Sequence, residues 1–264
     1  MQRVVELAKN SRISLLGLAV GFVAWETVGR LELSPAFPPL TDVFSACVDV
    51  WTSERFLNNL KDSMSSVVIA LPPSIVLGVL VGLLVGRSRL AEWSLDVFIN
   101  VFLSIPLVAL IPILVLIFGL GRGSILATIL IYTFFGVVVN TSAGVKTADA
   151  RLIEMATSFG ASEQQIVRRI VVPAAMPLAL AGVRIATGRA IKGVIIAEQV
   201  IGLIGLGGMI QRLGGAFAVE ELYAVVLFIG ILGLVSMELV RWAERAAMPW
   251  LRGQLDGGLG EEPA

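Results

Sequence analysis

The sequence contains no histidine, and it has a single cysteine among its 264 residues. Without histidine, the chain lacks the most common zinc ligand and the side chain that most often shuttles protons near neutral pH. The one thiol, Cys47, has no second cysteine with which to form an intramolecular disulfide. We therefore expect no metal site and no cofactor, and we expect Cys47 to be a small apolar packing residue.

Charge is also scarce. Charged residues make up 15% of the chain and their formal net charge is zero, so the composition offers no basic patch for nucleic acid. Hydrophobic residues make up 56%, and the mean hydropathy is +0.89. A soluble domain of this length needs a far larger polar fraction to cover its surface. The composition therefore indicates a membrane protein.

Six apolar runs approach the ~20 residues that a helix needs to cross the hydrocarbon core. These runs are Ile13–Gly29, Val67–Gly86, Val97–Phe118, Ser124–Asn140, Leu178–Val200 and Leu222–Val240. They predict an all-α polytopic membrane protein with about six transmembrane helices, within one transmembrane domain at residues 13–250. Residues 1–12 are expected to form a cytoplasmic N-terminus, and the glycine-rich acidic residues 251–264 a disordered cytoplasmic tail.

The lysine and arginine pattern predicts the orientation of these spans. Most of these residues outside the fifth span lie in the N-terminal segment, in the second and fourth connections and after the last span. The positive-inside rule then predicts that both termini are cytoplasmic. On the outer side, apolar residues of Thr41–Leu57 recur near helical spacing, which predicts a short amphipathic helix on that surface.

Glycine and proline mark further irregular points. The glycine-rich stretches Gly119–Ser124 and Gly202–Met209 follow no strand, so we interpret them as tight turns or short re-entrant segments rather than phosphate loops. Four prolines inside apolar runs are expected to kink their helices: Pro72, Pro73, Pro106 and Pro112.

A polar stretch, "EMATSFGASEQQIVRRIVVP", interrupts the apolar chain on the cytoplasmic side between the fourth and fifth spans. Its pattern predicts a short helix over Leu152–Phe159 that ends at Gly160. A second helix is expected to begin at Ser162, which forms a capping box with Gln165. An inert amphipathic linker and a docking element for a soluble partner are both compatible with this shape.

Two prolines are expected to close this stretch. Pro173 is predicted to stop the second helix, and Pro177 is predicted to lie in the first turn of the fifth span.

The motif Glu154-Met155-Ala156, Gly160, Ile170-Val171-Val172-Pro173 resembles the cytoplasmic loop of binding-protein-dependent ABC importer permeases. In that family the loop begins Glu-Ala-Ala, has a glycine six residues after the glutamate and ends Ile-x-Leu-Pro. The stretches "SIPLVALIPILVLIFGLG", "AGVRIATGRAIKGVIIAEQVIGLIGLGGMI" and "RWAERAAMPW" are similar to the nitrate/sulfonate/taurine subgroup. Ser66 and Ala70 stand where that subgroup usually has arginine and glycine, and Lys192 stands where an aromatic residue is common.

The resemblance implies the type I ABC importer permease fold and a set of partners. It implies cytoplasmic ATP-binding subunits, an extracytoplasmic substrate-binding protein and a second permease subunit, either an identical copy or an unlike one. It implies a small, anionic solute. The chain has no G-x-x-x-x-G-K-[ST] loop, so we expect a pore-forming subunit that does not itself hydrolyse ATP. The resemblance assigns coupling to the ATPase to residues 151–173, and in particular to Glu154, Ala156, Gly160, Ala161, Ser162, Ile170 and Pro173.

The fifth span carries four charged residues: Arg184, Arg189, Lys192 and Glu198. A cation at mid-bilayer costs ~2.5–3.5 kcal/mol on insertion scales, so this helix face is expected to avoid lipid. Arg184 is close enough to the inner end to extend its charge to water. All four are candidates for the translocation pathway, with Lys192 the foremost. The alternative is structural pairing of Lys192 with Glu26 or Glu198.

Other classes of function remain as alternatives. An intramembrane enzyme would need clustered nucleophiles, acids or metal ligands, which the spans do not offer. A stand-alone channel or secondary transporter would leave the cytoplasmic motif without a role. Within the importer class, a permease for another small solute, such as a pyrimidine or vitamin precursor, is the alternative to an anion permease.

Overall fold

The structure is a computed structural model that describes residues 16–17, 19–31 and 33–247, and these residues form helices and no strand. The helices are α1 (residues 19–30), α2 (Leu40–Thr52), α3 (Glu54–Arg87), α4 (Arg89–Ser104), α5 (Leu107–Phe118), α6 (Arg122–Val145), α7 (Ala150–Ser158), α8 (Glu163–Ile166), α9 (Val172–Ile201), α10 (Gly205–Gly215) and α11 (Val219–Ala247). A π-helical turn, Val167–Val171, joins α8 to α9. The all-α class is therefore confirmed. The predicted N-terminal segment 1–12, the start of the first span and the tail 251–264 lie outside the described residues.

Four helical stretches in the described part of the chain are long and apolar enough to cross a membrane. They are Glu54–Arg87, Arg122–Val145, Glu163–Ile201 and Val219–Ala246. They contain the predicted second, fourth, fifth and sixth spans. The predicted third span, Val97–Phe118, is instead two helices, α4 and α5, bent by 105°.

Pro106 explains why the third span is broken rather than merely kinked. The residue before a proline avoids the α conformation, and Ile105 is extended, with φ −70° and ψ 127°. By contrast, Pro72 and Pro73 lie inside the continuous helix α3, and Pro112 lies inside α5.

The predicted amphipathic helix over Thr41–Leu57 is observed as α2, which buries Val43, Cys47 and Val50. This helix packs against α11. It ends at Thr52 because Ser53 is extended and its side chain caps the start of α3.

Helices α3, α6 and α9 form the centre of the bundle. On α3, Gly78, Gly82 and Gly86 repeat every four residues and face α6. A Cβ atom built on them would lie 2.5–2.8 Å from the Cβ atoms of Val137, Thr141 and Val145. Small residues at this spacing let two membrane helices approach until their backbones are nearly in contact. The close α3–α6 contact therefore depends on the missing side chains.

Candidate functional site

The polar stretch forms two short helices joined by a tight turn, as predicted. The Asp149 side chain accepts a hydrogen bond from the Arg151 backbone N–H (2.8 Å), which caps the start of α7. Gly160 has φ +77°, and the next N–H, of Ala161, donates to the carbonyl of Ala156 (3.0 Å). This is the left-handed glycine ending that many helices use.

The predicted capping box at the second helix is also confirmed. The Ser162 backbone N–H donates to Gln165 Oε1 (2.8 Å), and the Gln165 N–H donates to Ser162 Oγ (3.4 Å). The two side chains satisfy backbone donors that have no partner inside the helix. The local sequence thus fixes where α8 begins.

The prediction that Pro173 stops this helix is wrong. Helix continues through the π-helical turn into α9, so Glu163–Ile201 is one stretch of 39 residues. Pro177 lies inside α9 rather than in the first turn of a separate helix. A π-helical turn inserts one extra residue into the helix, and we attribute the tolerance of Pro173 to this wider turn, which precedes the proline ring.

One side of residues 150–173 packs against the helical bundle. Ile166 and Val171 are buried together with Val145 at the end of α6, and Ala156, Ala161 and Ile170 pack against this cluster. The Arg87 side chain at the end of α3 forms an ion pair with Glu163. We call residues 150–173 the coupling segment from here on, after the role that the resemblance implies for residues 151–173. It is a packed part of the fold and not a free linker.

The side of the coupling segment that faces away from the bundle is an uncovered apolar surface. Leu152 and Met155 of α7 and Phe159, the residue that follows the helix, are exposed at helical spacing, and Phe159 is 86% exposed. The Glu154 side chain is exposed, and no contact partner is found for its carboxylate among the described residues. A groove of about 460 Å³ lies between Phe159 and Arg169. A contiguous exposed apolar patch beside charged side chains is typical of a partner surface.

The four charged side chains of the fifth span lie in four different environments. Arg184 Nη1 lies 3.1 Å from Glu244 Oε2 of α11. The Arg189 guanidinium carbon lies 5.6 Å from the ring centroid of Tyr132 on α6, a cation–π contact. Arg189 also lines a cavity of about 150 Å³ beside the α4–α5 break.

Glu198 is completely buried. Its Oε2 accepts hydrogen bonds from Ser63 Oγ of α3 (2.7 Å) and from the Gly207 backbone N–H of α10 (3.0 Å). The sequence pattern did not identify Ser63 or Gly207 as partners, since a hydrogen bond across 135 residues has no local signal. The signal that was available is the polar Asn59-x-x-x-Ser63 spacing on one face of α3.

Lys192 is exposed, and no ion pair is found for it among the described residues. The two structural pairings considered for it are not observed, because Glu26 pairs with Arg30 (2.6 Å) and Glu198 binds Ser63. Lys192 belongs to a stripe of exposed residues at seven- or eight-residue spacing along α9, which we call the α9 stripe: Leu178, Ile185, Lys192 and Val200.

Comparison with known proteins agrees with the helical membrane fold described above. Residues 74–253 match the family described as binding-protein-dependent transport system inner membrane component. The chain is 30% identical over 251 residues to the taurine transport system permease protein TauC of Escherichia coli, covering 92% of this chain and 91% of that protein. It is 29% identical to the formylaminopyrimidine transport permease protein ThiX of Halalkalibacterium halodurans, over 88% and 93% of the two chains. It is 28% identical to the putative aliphatic sulfonates transport permease protein SsuC of Bacillus subtilis, over 89% and 86%.

The fold is similar to a chain from the inward-facing MetNI methionine ABC transporter, with a TM-score of 0.63 and 20% identity. This similarity covers 74% of the present chain and 99% of the other. The family match, the helical bundle and the apolar spans thus agree, and the chain belongs to the binding-protein-dependent transport system inner membrane components, as a multi-pass permease subunit of an ABC importer.

Proposed function

We propose that this permease forms the translocation pathway for a small anionic solute and is driven by a separate ATPase that binds the coupling segment. Its further partners are an extracytoplasmic substrate-binding protein and a second copy of this chain, and both termini are cytoplasmic. The exposed apolar face of α7 carries the proposal. Leu152, Met155 and Phe159 are uncovered on a segment whose opposite side is packed against the bundle.

The predicted coupling residues divide into three roles. Ala156, Ala161 and Ile170 anchor the segment, since they pack against the buried cluster beneath it. Gly160 and Ser162 set the angle between α7 and α8 through the left-handed turn and the capping box. Glu154 and the apolar face contact the ATPase. The remaining coupling residue, Pro173, joins the segment to α9.

Co-purification tests the proposal. Affinity-tagged permease, extracted from membranes in which its own transport genes are expressed, is expected to retain ATPase activity through washing. Phe159→Ala removes an aromatic anchor of the kind that contributes ~2 kcal/mol or more in interfaces. We therefore expect the affinity of the permease for the ATPase to fall about 30-fold, and the ATPase activity retained on the permease to fall with it. Phe217→Ala is the matched control, because Phe217 is 81% exposed beside α10 and far along the chain from the coupling segment. Equal ATPase retention by both variants would refute the docking role.

The cations of the fifth span support an anionic solute. TauC and SsuC are named for taurine and aliphatic sulfonates, whose sulfonate group is negatively charged. Arg184 and Glu198 already have protein partners. Lys192 and Arg189 have no carboxylate partner among the described residues, so these two are the proposed pathway residues.

Uptake of radiolabelled taurine by cells that express the complete transporter tests Lys192. We expect Lys192→Met to raise the KM at least tenfold, because a charge-assisted contact contributes ~1.5–3 kcal/mol. Lys61→Met is the control, since Lys61 is an exposed lysine on α3 outside the α9 stripe. Unchanged uptake kinetics in Lys192→Met, with the transporter assembled, would remove Lys192 from the pathway.

A permease for a neutral heterocycle is the second candidate, because ThiX is related to this chain at nearly the same identity and coverage as TauC. Competition separates the two candidates. Unlabelled formylaminopyrimidine that fails to displace taurine favours the anion, whereas uptake of labelled formylaminopyrimidine without taurine uptake favours the heterocycle.

The homodimer is proposed to form along the α9 stripe, which no helix in the described part of the chain covers. Ile185→Cys in a Cys47→Ala background is expected to form a disulfide-linked dimer on mild oxidation. A permease that runs only as a monomer, or that cross-links only to an unlike subunit, would contradict the homodimer.

A further inference from the structure

The start of α10 is capped by side chains from two other helices. The residue before α10, Ile204, has no side chain that can cap it, and the first N–H groups of a helix have no partner inside the helix. Here the Leu206 N–H donates to Ser63 Oγ of α3 (2.9 Å), and the Gly207 N–H donates to Glu198 Oε2 of α9 (3.0 Å). Ser63 Oγ in turn donates to the same carboxylate oxygen.

Glycines bring α10 close enough for this arrangement. A Cβ atom on Gly205 would overlap with the carboxyl group of Glu198, and one on Gly207 would overlap with the Ile195 carbonyl oxygen. Gly205 also has φ +73°, a conformation that side chains disfavour. The start of α10 is therefore seated directly on the last turns of α9.

Helix α9 connects this junction to the coupling segment. The continuous helix Glu163–Ile201 has 39 residues, which corresponds to about 58 Å at 1.5 Å per residue, well beyond the ~30 Å hydrocarbon core. The Glu198 contact lies at one end of this helix, and the coupling segment lies at the other.

We propose that Glu198, with Ser63, is a positioning residue that fastens α10 to the far end of α9, so that displacement of α9 moves α10 with it. The direction of this displacement rests on the proposed function, because it assumes that the ATPase acts on the coupling segment. Glu198 then does not contact the solute. It makes α10 and α9 move as one body at the outer mouth of the pathway.

Cysteine labelling tests the fastening without any partner. Met209 lies on α10 and is 5% exposed, so Met209→Cys in a Cys47→Ala background reports opening of α10 to a maleimide. Ser63→Ala and Glu198→Ala are expected to speed labelling about tenfold, which corresponds to ~1.4 kcal/mol in the opening equilibrium. Glu198→Gln keeps a carbonyl oxygen for the Gly207 N–H and should restore most of the protection.

Ser74→Ala is the matched control, because Ser74 is also a completely buried serine of α3 but bonds to α6 rather than α10. We expect its labelling rate to stay within about twofold of the parent, a difference below ~0.5 kcal/mol. Equal rates in the Ser63, Ser74 and Glu198 variants would overturn the fastening.

The transmission step is tested in the transporter with its ATPase subunits bound. Gln211→Cys, on the exposed side of α10, is expected to change its labelling rate when ATP and vanadate are added. In Glu198→Ala this response should be lost although the ATPase remains bound, and in Glu198→Gln it should return. A full ATP response in Glu198→Ala would overturn the transmission, whereas failure of the parent to bind any ATPase would instead refute the proposed function.

Discussion

Replacing Gly82 by alanine places a methyl group between α3 and α6, where the structure leaves no room for it. The added Cβ would lie 2.6 Å from Thr141 Cβ, 2.8 Å from the Val138 carbonyl oxygen and 3.1 Å from Thr141 Cγ2. A normal carbon–carbon contact requires about 3.5–4.0 Å. Two of these atoms cannot rotate away, because one belongs to the backbone and the other is a Cβ. The two helices must therefore move apart by several tenths of an ångström or more.

The expected cost follows from this geometry. Overpacking a tight core costs ~1–3 kcal/mol, and Gly78 and Gly86 beside Gly82 would lose contact with α6 at the same time. For a chain of this size, ~1 kcal/mol shifts the Tm by about 2–4 °C. We therefore expect Gly82→Ala to lower the Tm by about 2–12 °C.

Gly230→Ala is the matched control. Gly230 also lies inside a long apolar helix, α11, but a Cβ there would meet nothing within 4 Å. Alanine in a helix interior is more favourable than glycine by ~0.5–1 kcal/mol, so this variant should raise the Tm slightly. Thermal denaturation of the detergent-solubilised permease, followed by size-exclusion fluorescence, measures both changes. A Gly82→Ala variant as stable as the parent would show that α3 and α6 do not make the contact described above.

Three further predictions concern other parts of the chain. Cys47 is 5% exposed and burial raises the pKa of its thiol, so less thiolate is present at a given pH; mass spectrometry should find slow maleimide labelling at pH 7 that speeds up as the pH rises. Ser162→Ala removes the capping box at a cost of ~1 kcal/mol, so hydrogen exchange of residues 163–166 should become about fivefold faster. Ser158→Ala lies outside the box and should leave the exchange rate of these residues unchanged. Arg184→Met leaves the largely buried Glu244 carboxylate without its ion-pair partner, so its Tm should fall further than that of the double variant Arg184→Met/Glu244→Met.

Local chemistry explains which features could be predicted from the sequence. The left-handed turn at Gly160 and the Ser162–Gln165 capping box are determined by residues within a few positions of each other, and both are observed. The apolar runs likewise predict most of the spanning helices. The partners of Glu198 could not be predicted, because Ser63 is 135 residues away in the chain. The break at Pro106 was underestimated for a different reason: a proline kinks, breaks or leaves a helix continuous depending on packing around it, as Pro72 and Pro73 inside α3 demonstrate.

At Pro173 a local sequence rule predicts the wrong connection between the coupling segment and α9. Read alone, the proline separates the coupling segment from the fifth span and makes the connection between them flexible. The helix stays continuous through a π-helical turn, Val167–Val171, which ends two residues before Pro173. In the proposed mechanism, a force on α7 is transmitted to a helix that extends to Glu198 and α10 rather than being absorbed in a loop. Deleting Val167 would remove the extra residue of this turn and restore regular α-helix before Pro173, whose ring would then clash with the carbonyl group four residues earlier. We therefore expect the deletion to disrupt the connection between the coupling segment and α9 and to lower ATP-driven transport while leaving the bundle folded.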